Sequence, residues 1–209
     1  MREKSPDRIE LMSVILLAVI VIATAWSAYQ ATLRGGNQTF KLVDANGASR
    51  KMTELSLKQV QFSMVDAMML MQYVEALNAG DQKLADFYFE RFRPDFKPAV
   101  QAWLDTNPFD NPNAPPHPFV MEEYKRTFAE QAEQMEQLAQ SKRDEAQQAN
   151  QNSDNYVMFT VIYASIIFLG SIATKFSSER VNRICVMIGA VLFVVITASM
   201  LVLMPIAME

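Results

Sequence analysis

Histidine and cysteine each occur once in these 209 residues, as His117 and Cys185. One cysteine excludes a disulfide within the chain. One histidine leaves zinc and other transition metals short of the three or four nitrogen or sulfur ligands they ordinarily take, unless several subunits meet at it. Glycine is scarce as well, with six residues, and none supplies an oxyanion-stabilising loop beside the carboxylates Asp66 and Glu75, which also lack a neighbouring nucleophile or base. Three windows lack charge altogether. Residues 11–29 (LMSVILLAVIVIATAWSAY), 156–174 (YVMFTVIYASIIFLGSIAT) and 184–204 (ICVMIGAVLFVVITASMLVLM) hold no Asp, Glu, Lys, Arg or His. That absence excludes the proton relays and ion-coupled transporters that need ionisable groups at membrane depth.

The uncharged windows are long enough to cross roughly 30 Å of hydrocarbon as helices, so they are expected to be three transmembrane spans in a lipid bilayer. The first also fits a cleavable signal peptide ending at Ala23-Thr24-Ala25, but its length and the acidic Glu3, Asp7 and Glu10 before it favour a span. Arg2, Lys4 and Arg8 precede the first span, and Lys175, Arg180 and Arg183 lie between the second and third. The positive-inside rule therefore puts segment 1–10 and loop 175–183 in the cytoplasm and residues 34–154 outside it. The expected location is the cytoplasmic (inner) membrane, with Trp26, Tyr29 and Tyr156 at the outer headgroup layer. Residues 34–154 carry 13 Lys and Arg against 18 Asp and Glu, net −5, which argues against a nucleic-acid partner.

Within that external region the pairs Gly35-Gly36 and Asn46-Gly47 predict a loop, and Ser49 a helix N-cap. Met52, Leu55, Phe62, Met69, Tyr73 and Leu77 recur at helical spacing and predict a helix over about 48–79, stopped by Gly80. Asp81 is expected to cap a short helix, 81–93, in an αα-hairpin. Tyr124, Phe128, Ala132, Met135, Ala139, Ala146 and Ala149 mark a third helix, about 119–155. At about 1.5 Å per residue the two long helices match in length, roughly 47 and 55 Å. The predicted class is thus an all-α integral membrane protein: three transmembrane helices, an extracytoplasmic helical stalk, and a Pro-rich cap over 94–118 where the chain turns back.

Segment 91–124, RFRPDFKPAVQAWLDTNPFDNPNAPPHPFVMEEY, holds seven of the nine prolines. Their fixed φ and missing N–H groups predict a stiff element outside helix and sheet. Trp103, Phe109, Pro115, Pro116, His117 and Phe119 are the candidate interaction residues there. DTNPFDNPN (105–113) offers hard oxygens to calcium, yet lacks the EF-hand glycine and distal glutamate and reads as turn-forming. Met64, Met68, Met69 and Met71 could offer thioethers to copper(I), but beside Phe62 and Tyr73 they read as core filler. Asp66 and Glu75 are expected on a solvated face or paired with Lys58, Arg91 or Arg93. Ala23, Ser27, Thr24 and Ala28, small residues four apart, are candidates for close helix–helix packing.

The segments TAWSAYQAT, RFRPDFKPAVQAWLDTNPF, NPNAPPHPFVMEEY and NQNSDNYVMFTVIYASIIFLGSIATKF resemble a group of uncharacterised prokaryotic integral membrane proteins with three spans. The resemblance covers most of the chain. It implies prokaryotic origin and shared architecture, and carries over no activity, cofactor or site residue. The expectation is a non-enzymatic protein without metal or cofactor, a homo-oligomeric scaffold or partner-binding module with a possible extracytoplasmic protein partner. An oligomeric ion channel is the alternative, since weakly polar Ser and Thr can line a pore. A membrane sensor with a separate cytoplasmic output partner is a further one.

Overall fold

A computed structural model describes residues 8–173 and 179–204, and among these every regular element is helical. The α-helices are α1 (Arg8–Asn78), α2 (Gln82–Arg91), α3 (Lys97–Leu104), α4 (Thr127–Ala173) and α5 (Glu179–Leu203), with a 3₁₀ turn at Pro118–Val120. Three of them, α1, α4 and α5, are long and apolar enough to cross a membrane. The chain is an all-α, candidate multi-pass membrane protein. Arg2, Lys4 and Lys175, on which the orientation partly rests, lie outside the described residues, and positions 179–183 of the expected loop are helical.

The chain divides into two compact units, one of Met1–Asp44 with Ser141–Glu209, the other of Ala45–Gln140. In the first, Ile20, Ala31, Tyr156, Phe159, Tyr163, Ile166, Met200 and Met204 form a buried cluster. Glycine permits one close approach: a Cβ on Gly170 would stand 2.9 Å from Leu17 Cδ2. Tyr156 is fully buried in this cluster, while Trp26 and Tyr29 are exposed.

Helix α1 runs unbroken through Gly35-Gly36, Asn46-Gly47 and Ser49, where a loop and a cap were expected. Gly costs about 1 kcal/mol relative to Ala inside a helix. Around Gly35-Gly36, contacts to α4 hold the helix together. Ser153 Oγ donates to the Ala31 carbonyl at 2.9 Å, Gly35 faces Ser153, and Lys41 Nζ pairs with Glu145 at 2.6 Å. The polar run 150–155 is likewise helical within α4.

In the second unit α1 ends as its sequence predicts. Gly80 adopts φ +71°, its N–H donates to Leu77 O, and Asp81 N–H donates to Ala76 O, a Schellman closure. The Asp81 carboxylate then accepts from Leu84 N–H at 3.0 Å and caps α2. No atom would crowd a Cβ at Gly80, so Gly80→Ala tests the backbone alone. It is expected to lower this unit's stability by about 1–2 kcal/mol, read as faster amide exchange in residues 76–85 with the full chain in nanodiscs.

Two boundaries differ from expectation. The proline segment contains α3, because Pro98 occupies its first turn, where a missing N–H breaks no helical bond. The following helix begins at Thr127 rather than 119, since Phe119 and Tyr124 are drawn into the aromatic core instead.

Candidate functional site

The core of the second unit is built on aromatic rings. Tyr73 of α1 meets Phe92 edge-on at 5.5 Å, and Phe92 meets Phe96 edge-on at 5.4 Å. Phe96, fully buried, stacks on Phe119 at 5.1 Å and meets Tyr124 edge-on at 5.6 Å. Leu70, Ala76, Ala85, Ala99, Val100 and Trp103 complete the cluster. Edge-to-face pairs of this kind add about 0.5–1.5 kcal/mol beyond the area they bury. Burial pushes the Tyr73 phenol above its ordinary pKa, with a smaller push from the Asp86 carboxylate.

One ion pair locks this core to α1. Asp66, 1% exposed, accepts from Arg93 Nε at 3.0 Å and Nη2 at 2.7 Å, a bidentate geometry. The Arg93 guanidinium also lies 4.8 Å from the Phe62 ring, which stacks on Phe128 of α4 at 5.3 Å. The hydrogen bond to Asp66 raises the Arg93 pKa further, against the opposing effect of burial. The sequence had named this pairing as one option for Asp66; Glu75 is exposed to solvent.

The six candidate interaction residues divide into supports and surface. Trp103 is buried; its indole N–H donates to Pro115 O at 2.8 Å, and its ring meets Phe109 edge-on at 5.9 Å. Phe119 is half-buried against the core. Phe109, Pro116 and His117 are exposed, Pro115 partly so, and the His117 ring stands 5.6 Å from that of Phe119. The intervening Asn and Asp residues serve the turn: Asn111 donates its amide to Thr106 O and accepts from Asn113 N–H, while Asn107 takes φ +52°.

A groove of about 420 Å³ lies beside this aromatic core, lined by Val60, Met64 and Ala67 of α1 with Phe119, Tyr124 and Arg126. Here one expectation is overturned. Met64, Met68 and Met71 are 61–69% exposed, and only Met69 of the four methionines packs on the core. They point away because α1 carries two apolar faces. Leu55, Phe62, Met69 and Tyr73 fill one, leaving Leu57, Val60, Met64, Met68 and Met71 on the other. The second face was legible as its own three-and-four spacing.

In the first unit, Ser27 is fully buried with its hydroxyl 3.5 Å from Met200 Sδ, and Ala23 packs on the same cluster. That small-residue pair is used within the chain. Thr24 is half-buried and bonds back to Ile20 O; Ala28 is exposed. Among the span hydroxyls, Thr160, Ser165, Ser171 and Ser199 likewise bond carbonyls four residues back. Tyr163 and Thr197 share a bond between helices at 2.9 Å. Cys185, half-buried, lines an apolar cavity of about 260 Å³ with Ile166, Leu169, Ile188 and Leu192. Where α1 and α4 leave the apolar windows, Arg34, Asn37, Lys41, Glu145, Gln148 and Asn152 line a polar groove.

Comparison with protein-family models, with curated proteins and with solved structures gives no match.

Proposed function

We propose that the chain is a non-enzymatic, multi-pass protein of the cytoplasmic (inner) membrane, a homo-oligomeric scaffold that presents an extracytoplasmic helical domain to a protein partner. Residues 34–154 stand outside the cytoplasm in this reading. Helices α1 and α4 supply the stalk, and the proline-braced segment 94–118 is its cap. The observation that carries the proposal is the pairing of a rigid support with an uncovered aromatic. Trp103 is fixed by its bond to Pro115 and by the core behind it, while Phe109, leaning on that ring, remains 52% exposed beside Pro116 and His117. An exposed aromatic on a pre-ordered loop binds without paying for loop ordering, which is what interface hot spots require.

A photo-reactive amino acid placed at Phe109 in living cells tests this directly. The expected result is a discrete cross-linked adduct at 109 and at His117 but not at exposed Glu133 of α4. Absence of adducts at both cap positions, or equal labelling at Glu133, would overturn it.

A further inference from the structure

We propose that the second apolar face of α1 is the surface on which two copies of this chain pair, parallel and in register, through Leu57, Val60, Met64, Met68 and Met71. All five side chains are more than half exposed. Their steps of three and four residues along a continuous helix are those of a coiled-coil seam. The inference rests on the membrane-anchored, homo-oligomeric reading above and identifies the contact that reading needs.

Four features select a second copy as the occupant. Like charges do not oppose self-pairing beside the stripe. On one flank Glu54 sits between Lys51 at 3.0 Å and Lys58 at 2.8 Å, and this pairing holds the Glu54 carboxyl down to a pKa of about 2. The other flank is the uncharged Ser56, Ser63 and Ala67. That flank opens into the 420 Å³ groove beside Phe119 and Tyr124, a hollow that unbranched methionines of a facing helix can enter.

The third feature is connection: α1 carries both the first candidate span and the stripe without a break. Copies inserted the same way into one membrane are tethered through the same helix, which raises the effective concentration for pairing. Area is the fourth. A stripe of four turns buries a few hundred Å² per copy, short of the roughly 800 Å² per partner of a standard interface, and anchorage of both copies in one membrane makes up for the smaller area. A membrane surface suits the stripe less well, because lipid-binding amphipathic helices carry unpaired basic residues along their flanks. Arg50 and Glu75 lie on the same side of α1 beyond either end of the stripe. Meeting their own copies there, they confine the contact to the turns between.

The test uses the full chain in native-lipid nanodiscs, with Cys185→Ser as a cysteine-free background. Single cysteines at Leu57, Met64 and Met71 are expected to form disulfide-linked dimers about tenfold or more faster than one at exposed Gln137 of α4. Met64→Glu with Met68→Glu is expected to convert the oligomer to a monomer by native mass spectrometry while leaving the helical content of each chain unchanged, because neither side chain belongs to the core of the second unit. A stable oligomer that cross-links at 137 as readily as at 64 would refute this interface and leave the homo-oligomeric reading standing. A monomeric wild-type mass would refute both. Quenching of a fluorophore at position 64 by brominated acyl chains would assign the stripe to lipid instead.

Discussion

Arg93→Met is expected to destabilise residues 45–140 by about 3 kcal/mol, because it strands a buried carboxylate. Breaking a buried pair from one side costs about 3–5 kcal/mol. Arg93 keeps 21% of its side chain in water, so the lower end applies. Methionine is the informative replacement, since its stem retains contact with the Phe62 ring while the charge is lost. The two partners are also unequal. Asp66 is 1% exposed, so its charge cannot recover water once Arg93 is gone. Asp66→Asn leaves the more accessible partner, which keeps the Asp95 carboxylate 3.8 Å from its Nη1, and about 1–2 kcal/mol is expected from it. Combining Asp66→Asn with Arg93→Met removes both charges and is expected to recover more than half of the single Arg93→Met loss. Hydrogen exchange on the full chain in nanodiscs measures all three. Protection at Phe92–Val100 should fall about a hundredfold for Arg93→Met. If it falls no more than for a surface substitution, the pair does not hold α2 and α3 to α1.

Much of this molecule was readable from local chemistry, and the failures share a cause. The uncharged windows, the Gly80 stop and the Asp81 cap were legible because each is decided within a few residues: by the absence of charge, by φ, by one carboxylate. The helical register Phe128, Ala132, Met135, Ala139 was legible as well, and those side chains are buried or half-buried. Gly35-Gly36 misled because the glycine cost is local while the flanking contacts from Ser153 and Glu145 come from more than 100 residues away. Pro98 misled through number: seven prolines read as a segment without helix, yet a proline in a first turn costs the helix nothing. The methionines misled because periodicity says that residues share a face without saying which face meets the core. On a helix apolar on two sides, only the location of Phe92, Phe96 and Tyr124 decides it. In the candidate site, composition picked out Trp103 and Phe109 together, but the Trp103–Pro115 bond separates a supporting ring from a presented one.

That separation gives the second large effect, a contrast between Phe96→Ala and Phe109→Ala. Phe96 is wholly buried and contacts Phe92, which precedes it by one turn's length, and Phe119 and Tyr124, which come from the segment beyond α3. Truncating it opens a cavity these rings cannot all collapse into, at an expected cost of about 3–5 kcal/mol. Phe109 leaves half its surface in water and touches Trp103 by one edge-on contact, so its removal is expected to cost about 0.5–1 kcal/mol. The chain holds two tryptophans, Trp26 and Trp103. Trp26→Phe therefore makes the fluorescence report on Trp103 alone, in the full chain and in lipid. In that background Phe96→Ala should shift the Trp103 emission to longer wavelength and move the urea midpoint well below that of the parent, whereas Phe109→Ala should leave both nearly in place. Equal midpoints for the two variants would mean that Phe96 is not the keystone of this core. A large loss from Phe109→Ala would make that ring a structural support, and its exposure would no longer argue for a partner.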